Sequence, residues 1–330
     1  MRLGFSISGH RDAASAVAVA RLAEDAGFDT VWITEDYCER GAFALAGAIA
    51  AVTRRIRVGI GVVNPWTRHP ALIAMELASL EEISGGRAVL GLGASNARWM
   101  TDQLGLPFDR PIGRLAEALD VIRAMMTGEH LDFQGEHFRV SAGLAFSPPR
   151  RTPPIVLGVK GPRALTLAAE RADGLLLSIL SSAPYIASVR GRVGPEAELA
   201  AYVALSVDQD ARAARDRLRP MVATYLGVHG DHEITRTAGL DAELCAAFRQ
   251  GWLDDAPRTD LVDDTLLDLF TAAGTTAEAA ASLSRLADSG LDVAVIRDDP
   301  DVDPEQLMNV ATLLQKAPPV SPPDDRRGDR

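Results

Sequence analysis

Four short stretches of this 330-residue chain set reactive side chains beside residues that let a ligand come close to the backbone. Thr34-Glu35-Asp36-Tyr37 groups two carboxylates and a phenol directly after an apolar run. Paired carboxylates raise one another's pKa, which suits proton exchange near neutral pH. The same residues would equally cap the next segment or pair with Arg40. Gly59-Ile60-Gly61-Val62-Val63-Asn64 and Gly91-Leu92-Gly93-Ala94-Ser95-Asn96-Ala97-Arg98-Trp99 carry glycines at alternate positions. Two adjacent strands ending this way fit a flat ligand lying close, as well as tight packing inside a barrel. In Lys160-Gly161-Pro162-Arg163-Ala164, Pro162 suits the first helical position and Gly161 leaves room beside it. Free amides between two cations make a seat for an anion such as phosphate. His10, after the first apolar run, is a further candidate for proton exchange.

These residues need a scaffold that brings strand ends together. Short apolar runs at 3–8, 30–34, 56–61, 88–91, 155–158, 174–178, 201–206 and 293–296 read as strands. Helical periodicity fills 13–26, 44–52, 71–83, 114–126, 163–171, 208–225, 276–289 and 304–315. Such alternation means parallel strands covered by helices. A doubly wound dinucleotide sheet would carry a glycine-rich turn after its first strand, and Ser6-Ile7-Ser8-Gly9-His10 has no G-x-G-x-x-G. The expected fold is therefore an α/β (β/α)8 TIM barrel, whose function sits at the C-terminal strand ends. One barrel over 1–316 is expected. A hairpin near 130–141 turns at Gln134-Gly135, a loop-rich insert spans 229–264, and 317–330 reads as a disordered, proline-rich tail.

The formal net charge of −11 repels a polyanion, so nucleic acid is not expected as a partner. Cys38 and Cys245 stand far apart in no metal-ligand spacing, so neither a disulfide framework nor a metal site is expected. No long apolar segment suggests a signal or a membrane span, and a cytoplasmic enzyme with a small-molecule substrate fits best.

Ala26-Gly27-Phe28-Asp29-Thr30-Val31-Trp32-Ile33-Thr34-Glu35-Asp36-Tyr37, the stretch 59–70, Ser84-Gly85-Gly86-Arg87-Ala88-Val89-Leu90-Gly91-Leu92-Gly93, and Gly161-Pro162-Arg163-Ala164 with Arg171-Ala172-Asp173-Gly174 follow one another in this order. Together they resemble the luciferase-like monooxygenase superfamily. Within it they look most like the branch of methylenetetrahydromethanopterin reductase and F420-dependent glucose-6-phosphate dehydrogenase. The resemblance is close over 1–178 and looser over 270–296. It implies the deazaflavin coenzyme F420, its ring backed by a bulge with a non-prolyl cis peptide at Gly61–Val62. It also implies a coenzyme phosphate at Lys160, Gly161, Arg163 and Ala164, with Asn64, Ala94 and Trp99 along the ring or its side chain. Ser178 and Ser181 fall where the sugar-phosphate dehydrogenase contacts substrate, and a homodimer is implied.

The departures from that family pattern carry information as well. Where the dehydrogenases have a His at the end of strand two, this chain has Asp36; where they have a Glu after strand four, it has Asn96. The methanopterin reductase has an acid at the position of Ser6 and an Asp at that of Asn96. Asp36, beside Glu35, is thus the expected proton carrier, while Asn96 and His10 are expected on the substrate side. The expected activity is hydride transfer between F420 and a small organic substrate, reducing an imine or activated double bond. An FMN-dependent two-component monooxygenase is the alternative within the superfamily, and a non-catalytic flavin-binding barrel the alternative outside enzymology.

Overall fold

A computed structural model describes residues 1–316 apart from Arg151, Pro300 and Asp301, so the tail expected over 317–330 lies outside the described residues. Eight parallel strands close on themselves: β1 (Arg2–Ile7), β2 (Thr30–Ile33), β3 (Arg57–Val63), β4 (Ala88–Gly93), β7 (Ile155–Gly158), β8 (Gly174–Leu177), β9 (Glu198–Val203) and β12 (Val293–Ile296). Around the ring they run β1-β12-β9-β8-β7-β4-β3-β2. The remaining strands lie outside the barrel in two small sheets. An antiparallel hairpin, β5 (Leu131–Gln134) with β6 (Arg139–Ala142), turns where the Gln134-Gly135 pair predicts it.

Helices α1 (Ala13–Asp25), α2 (Ala42–Val52), α3 (Pro70–Ser84), α4 (Pro111–Met126), α5 (Pro162–Arg171), α6 (Ala183–Val193), α7 (Ala211–His229), α11 (Thr276–Asp288) and α12 (Pro304–Lys316) surround the strands. Their starts follow local chemistry. Asp12 accepts from the Ser15 amide, Thr275 and Glu278 form a capping box, and prolines open α3, α4 and α5. Three short helices, α8 (Glu233–Thr237), α9 (Ala242–Leu253) and α10 (Asp264–Phe270), occupy the insert.

Alternation along the strands sorts side chains into two cores. Phe5, Ile33, Ile60, Leu90, Leu157, Leu175 and Leu199 pack outward against the helices. Trp32, Val89, Val156, Leu176, Ala200, Val293 and Val295 fill the lumen, and half-buried Val62 and Tyr202 close it at the top.

Three features differ from the sequence expectation. The run expected as one strand at 201–206 breaks at Ala204: β9 ends at Val203, and β10 (Leu205–Val207) leaves the barrel to pair with β11 (Ala272–Gly274). Uniform apolarity from Leu199 to Leu205 hides the break, since strands buried on both faces lose the alternation that marks a face. Helix α6 has no counterpart among the expected helices; Ser182 caps it and Tyr185, Ile186 and Val189 form its buried side. A π-helical turn at Arg98–Gln103 follows β4.

Candidate active site

The C-terminal strand ends form two unlike halves. On the β3, β4 and β7 side the Gly61–Val62 peptide is cis, and the β3–β4 register shifts between Ile60 and Val63. Val62 thereby turns across its neighbours. A Cβ on Gly93 would stand 2.6 Å from the Val62 side chain, and one on Gly158 2.7 Å from it. The glycines of β4 and β7 are thus the seat of one valine, and that valine forms a small, flat apolar floor. Gly61 is kept bare from the other direction, because its Cβ would lie 2.5 Å from the Tyr202 hydroxyl, which donates to Gly61 O at 2.7 Å.

A hydrogen-bond chain walls this floor. Asn64, 3% exposed, accepts from the Trp66 amide (2.9 Å) and the Thr67 amide (3.0 Å) and donates to Tyr37 Oη at 2.8 Å. Tyr37 donates onward to Ser95 Oγ at 2.7 Å, and its ring meets Trp99 edge-on at 5.6 Å. Burial, reinforced by the Asp36 charge, raises the Tyr37 pKa, so the phenol stays neutral. Asn64 therefore uses its amide to hold Tyr37, and Trp99 stands against that ring. Asn96, expected near substrate, accepts from the Trp99 amide at 3.1 Å and starts the π-helical turn. Ala94 lies half-buried at the end of β4.

Beyond β7 the chain enters α5 through Gly161, whose φ of 106° favours glycine. The first helical bond runs from Leu165 N to Gly161 O and no side chain caps the end, so the Arg163 and Ala164 amides point outward. Arg163 is exposed and makes no side-chain bond among the described residues. Lys160 is largely buried. Its ammonium donates to Nδ1 of His229 at 2.7 Å, and His229 Nε2 donates to Ile179 O at 3.0 Å. Burial, then the Lys160 charge, pushes His229 well below its ordinary pKa, so the ring is neutral in this tautomer. Burial and the Arg249 charge lower Lys160 to about 8. Arg249 lies over the Trp252 ring at 4.5 Å, and Arg98 lies over the same ring at 4.3 Å. A cavity of about 250 Å³ opens between Gly161, Pro162 and the His232–Arg236 turn of the insert. A larger one, about 340 Å³, lies at the far end of the barrel beside Ile155 and Met126, remote from these groups.

The other half, over β2, β1, β12 and β9, carries the acids. Asp36 is exposed at the rim with no side-chain hydrogen bond among the described residues, and its charge reaches Tyr37, Glu39 and Tyr202. Glu35, expected as its catalytic companion, is engaged elsewhere. It accepts from the Ala42 amide at 2.8 Å, at the start of α2, and pairs with Arg68. His10 faces Glu39 at 2.7 Å with its side chain 80% exposed, so it reaches solvent rather than the floor. Burial and the Asp36 charge raise the Glu39 pKa, and Glu39 Oε2 is buried with no partner. Ser181 donates to Ser178 O at 2.7 Å in a turn that has Leu180 at φ 66°, which fixes both serines by β8.

Sequence reading missed Glu39, Tyr202, His229 and Arg249. Strand alternation after Ala200 would have placed Tyr202 in the lumen. His229 meets Lys160 across 69 positions of sequence, a separation that no local pattern reports.

A profile of the luciferase-like monooxygenase family matches residues 1–293. The 5,10-methylenetetrahydromethanopterin reductase of Archaeoglobus fulgidus is 33% identical over 289 residues, 82% of this chain and 85% of that relative. The F420-dependent glucose-6-phosphate dehydrogenase of Nakamurella multipartita is 33% identical over 53% of this chain and 56% of its own length. The coenzyme F420-dependent tetrahydromethanopterin reductase of Methanopyrus kandleri has the same fold, with a TM-score of 0.83 at 24% identity, covering 94% of this chain and 97% of that one. A profile match along most of the chain, joined to one-third identity with a relative of similar length, shows that the chain belongs to the luciferase-like monooxygenase family.

Proposed function

We propose that this protein is an oxidoreductase that uses coenzyme F420 to reduce a small organic substrate at an imine or activated double bond. The observation that carries this reading is the Val62 floor lying beside the Lys160 and α5 anion seat. A flat ring joined to a phosphate needs this pairing of surfaces, and the residues present fit both. Relatives named for F420 support the choice of deazaflavin over FMN. When bound, the reduced coenzyme supplies a hydride.

The chain does the rest by position and charge. Val62 would support the coenzyme ring, and Tyr37, fixed by Asn64 and Ser95, would help hold it together with Trp99. Lys160, the Arg163 guanidinium and the Arg163 and Ala164 amides would hold the phosphate. Orientation of this kind, rather than covalent participation, is the main lever for hydride chemistry. Asp36 delivers the proton from its carboxyl oxygen to the reduced substrate, and Glu35 fixes the loop that carries it. Asp36, exposed at the rim, exchanges its proton with solvent directly, and Ser178, Ser181 and Asn96 lie along the substrate's margin.

We also propose a homodimer through α2 and α3. Helix α2 has no charged residue, and Val52, Leu72, Met75 and Ile83 of the two helices are 41–51% exposed.

Titrating purified protein with oxidised F420 and with FMN tests the central reading. Saturable quenching of F420 fluorescence is expected, with FMN far weaker. Gly161→Leu should weaken F420 at least tenfold by filling the anion seat. FMN binding without F420 binding, or unchanged affinity in Gly161→Leu, would overturn it.

A further inference from the structure

The arginines of this acidic chain are almost all used. Among the described residues, the arginines whose side chains make no hydrogen bond, ion pair or ring contact are Arg21, Arg54, Arg55, Arg139, Arg163 and Arg297. The first five are exposed, whereas Arg297 is half-buried. Partial burial with no counter-ion sets Arg297 apart from the five exposed arginines and calls for an explanation.

Its place in the barrel supplies one. The Arg297 amide donates to Val203 O at 2.9 Å, so the β12 ladder continues one residue beyond Ile296. Val293 and Val295 face the lumen while Ala294 and Ile296 face the helices. Alternation sets Arg297 on the lumen side, one layer above Val295 and its neighbour Tyr202. The next residue, Asp298, would be the obvious counter-ion, but it belongs to the other face. Asp298 is 5% exposed and held by Arg11 at 2.5 and 2.6 Å, while its amide donates to Ser6 Oγ at 2.9 Å. Glu39, on the loop after β2, is joined to His10. Arg297 is thus left without a partner by the way its surroundings are paired.

The ring order makes the position specific. In the sequence β1-β12-β9-β8-β7-β4-β3-β2, β12 lies four strands from β4 in both directions. Arg297 stands diametrically across the mouth from the glycines that seat Val62, and Asp36 follows β2, two strands away.

We propose that Arg297 is the anchor of a substrate subsite for an oxyanion, a carboxylate or phosphate carried by the substrate itself and separate from the Lys160 seat. This rests on the reading that the coenzyme takes the β3, β4 and β7 half of the mouth. Planar donors of a guanidinium match either oxyanion in a two-pronged hydrogen bond, which fixes orientation as well as position. The anion held on β12 would turn the reducible bond of the substrate toward the floor, within reach of Asp36. An acidic protein with an unpaired guanidinium at its mouth would in this way select anionic substrates from neutral ones of the same shape.

Ligand-observed NMR on full-length protein saturated with oxidised F420, which fills the Lys160 seat, tests the proposal with benzoate, phenyl phosphate and neutral benzamide as probes. At least one anion should bind saturably and at least tenfold tighter than benzamide. Arg297→Gln should weaken that anion at least tenfold and leave F420 affinity unchanged, and Arg297→Lys should recover part of the loss. Tighter benzoate points to a carboxylate substrate, tighter phenyl phosphate to a phosphate ester. Equal anion affinity in wild type and Arg297→Gln, or no preference over benzamide, overturns the proposal. Failure of F420 to bind at all would instead remove the coenzyme reading. In that case the same probes, titrated into coenzyme-free Lys160→Met protein with and without Arg297→Gln, isolate Arg297: an anion preference lost with the arginine supports the subsite, and one kept without it overturns the subsite.

Discussion

The two ends of the barrel differ in how completely their charges are paired. At the N-terminal end, Arg2, Asp29, Arg57 and Glu198 close a four-membered cluster across β1, β2, β3 and β9, with Arg57 to Asp29 at 2.6 Å and Arg57 to Glu198 at 3.1 Å. Nearby, Arg87 donates to carbonyls of Ala50, Thr53, Ile56 and Ser84, and Asp292 holds Arg190 and the Leu199 amide. Each of these charges answers another group. At the C-terminal end Asp36, Arg297 and one oxygen of Glu39 are left without partners among the described residues, and Lys160 has only a neutral imidazole. Paired charge fixes strands in register; unpaired charge is held ready for a ligand. The difference teaches where to expect each kind of mutational effect.

The largest expected effect is at the unpaired end. Asp36→Asn should lower turnover about 10²-fold or more at unchanged F420 affinity. Near-normal turnover in that variant would move the proton source to Glu39 or solvent and blur the contrast.

Next in size is the pH dependence of coenzyme binding. Lys160 carries its charge below about 8, so F420 affinity should be level there and weaken by up to about tenfold per unit above it. Lys160→Met should bind weakly with that pH dependence gone; an unaltered profile would separate Lys160 from the phosphate. The stability contribution of the same group has the opposite sense. A lysine depressed from its ordinary 10.5 to about 8 adds stability that is full above 10.5 and is lost as pH falls through 8.

The smallest effect on function is expected at the paired end. Burial works against the Asp29 charge, yet Arg57 and Arg2 hold its pKa below the ordinary value, so its contribution is present above about pH 4 and lost on acidification. Asp29→Asn should cost about 1–3 kcal/mol and lower Tm by several degrees, with turnover per folded molecule unchanged. A selective loss of turnover at full stability would break the comparison.

The same contrast explains what was legible in the sequence. Part of the family resemblance, Asp29 in Phe28-Asp29, Arg87 in Gly86-Arg87 and Asp173 in Ala172-Asp173-Gly174, belongs to the paired end. Asp173, for one, accepts from the Ile155 amide at 2.8 Å and pairs with Arg123. Their partners are fixed by the fold, so their spacing in sequence is fixed too. The eight strands were legible for a similar reason, since each is a short apolar run between caps. At the other end, Glu35 looked like a catalytic twin of Asp36, and only the fold shows it bound to Ala42 and Arg68. Likewise the partner of Lys160 arrives from the end of α7. Helix α6 escaped because Ser181-Ser182-Ala183-Pro184 reads as a loop and the helix's apolar side is short.

The side sheet of β10 and β11 has a consequence for how this protein can change over generations. Leu205, Ser206 and Val207 pair with Ala272, Ala273 and Gly274, so the chain from 208 to 271 leaves and returns at one clamp outside the barrel. Closing a longer excursion costs little, about 0.6 kcal/mol for each doubling of its length. The stretch between His229 and β11 can therefore be lengthened, shortened or exchanged while the eight strands keep their register. That one segment can change in length or sequence without disturbing the barrel, as a tool changes its bit and keeps its handle.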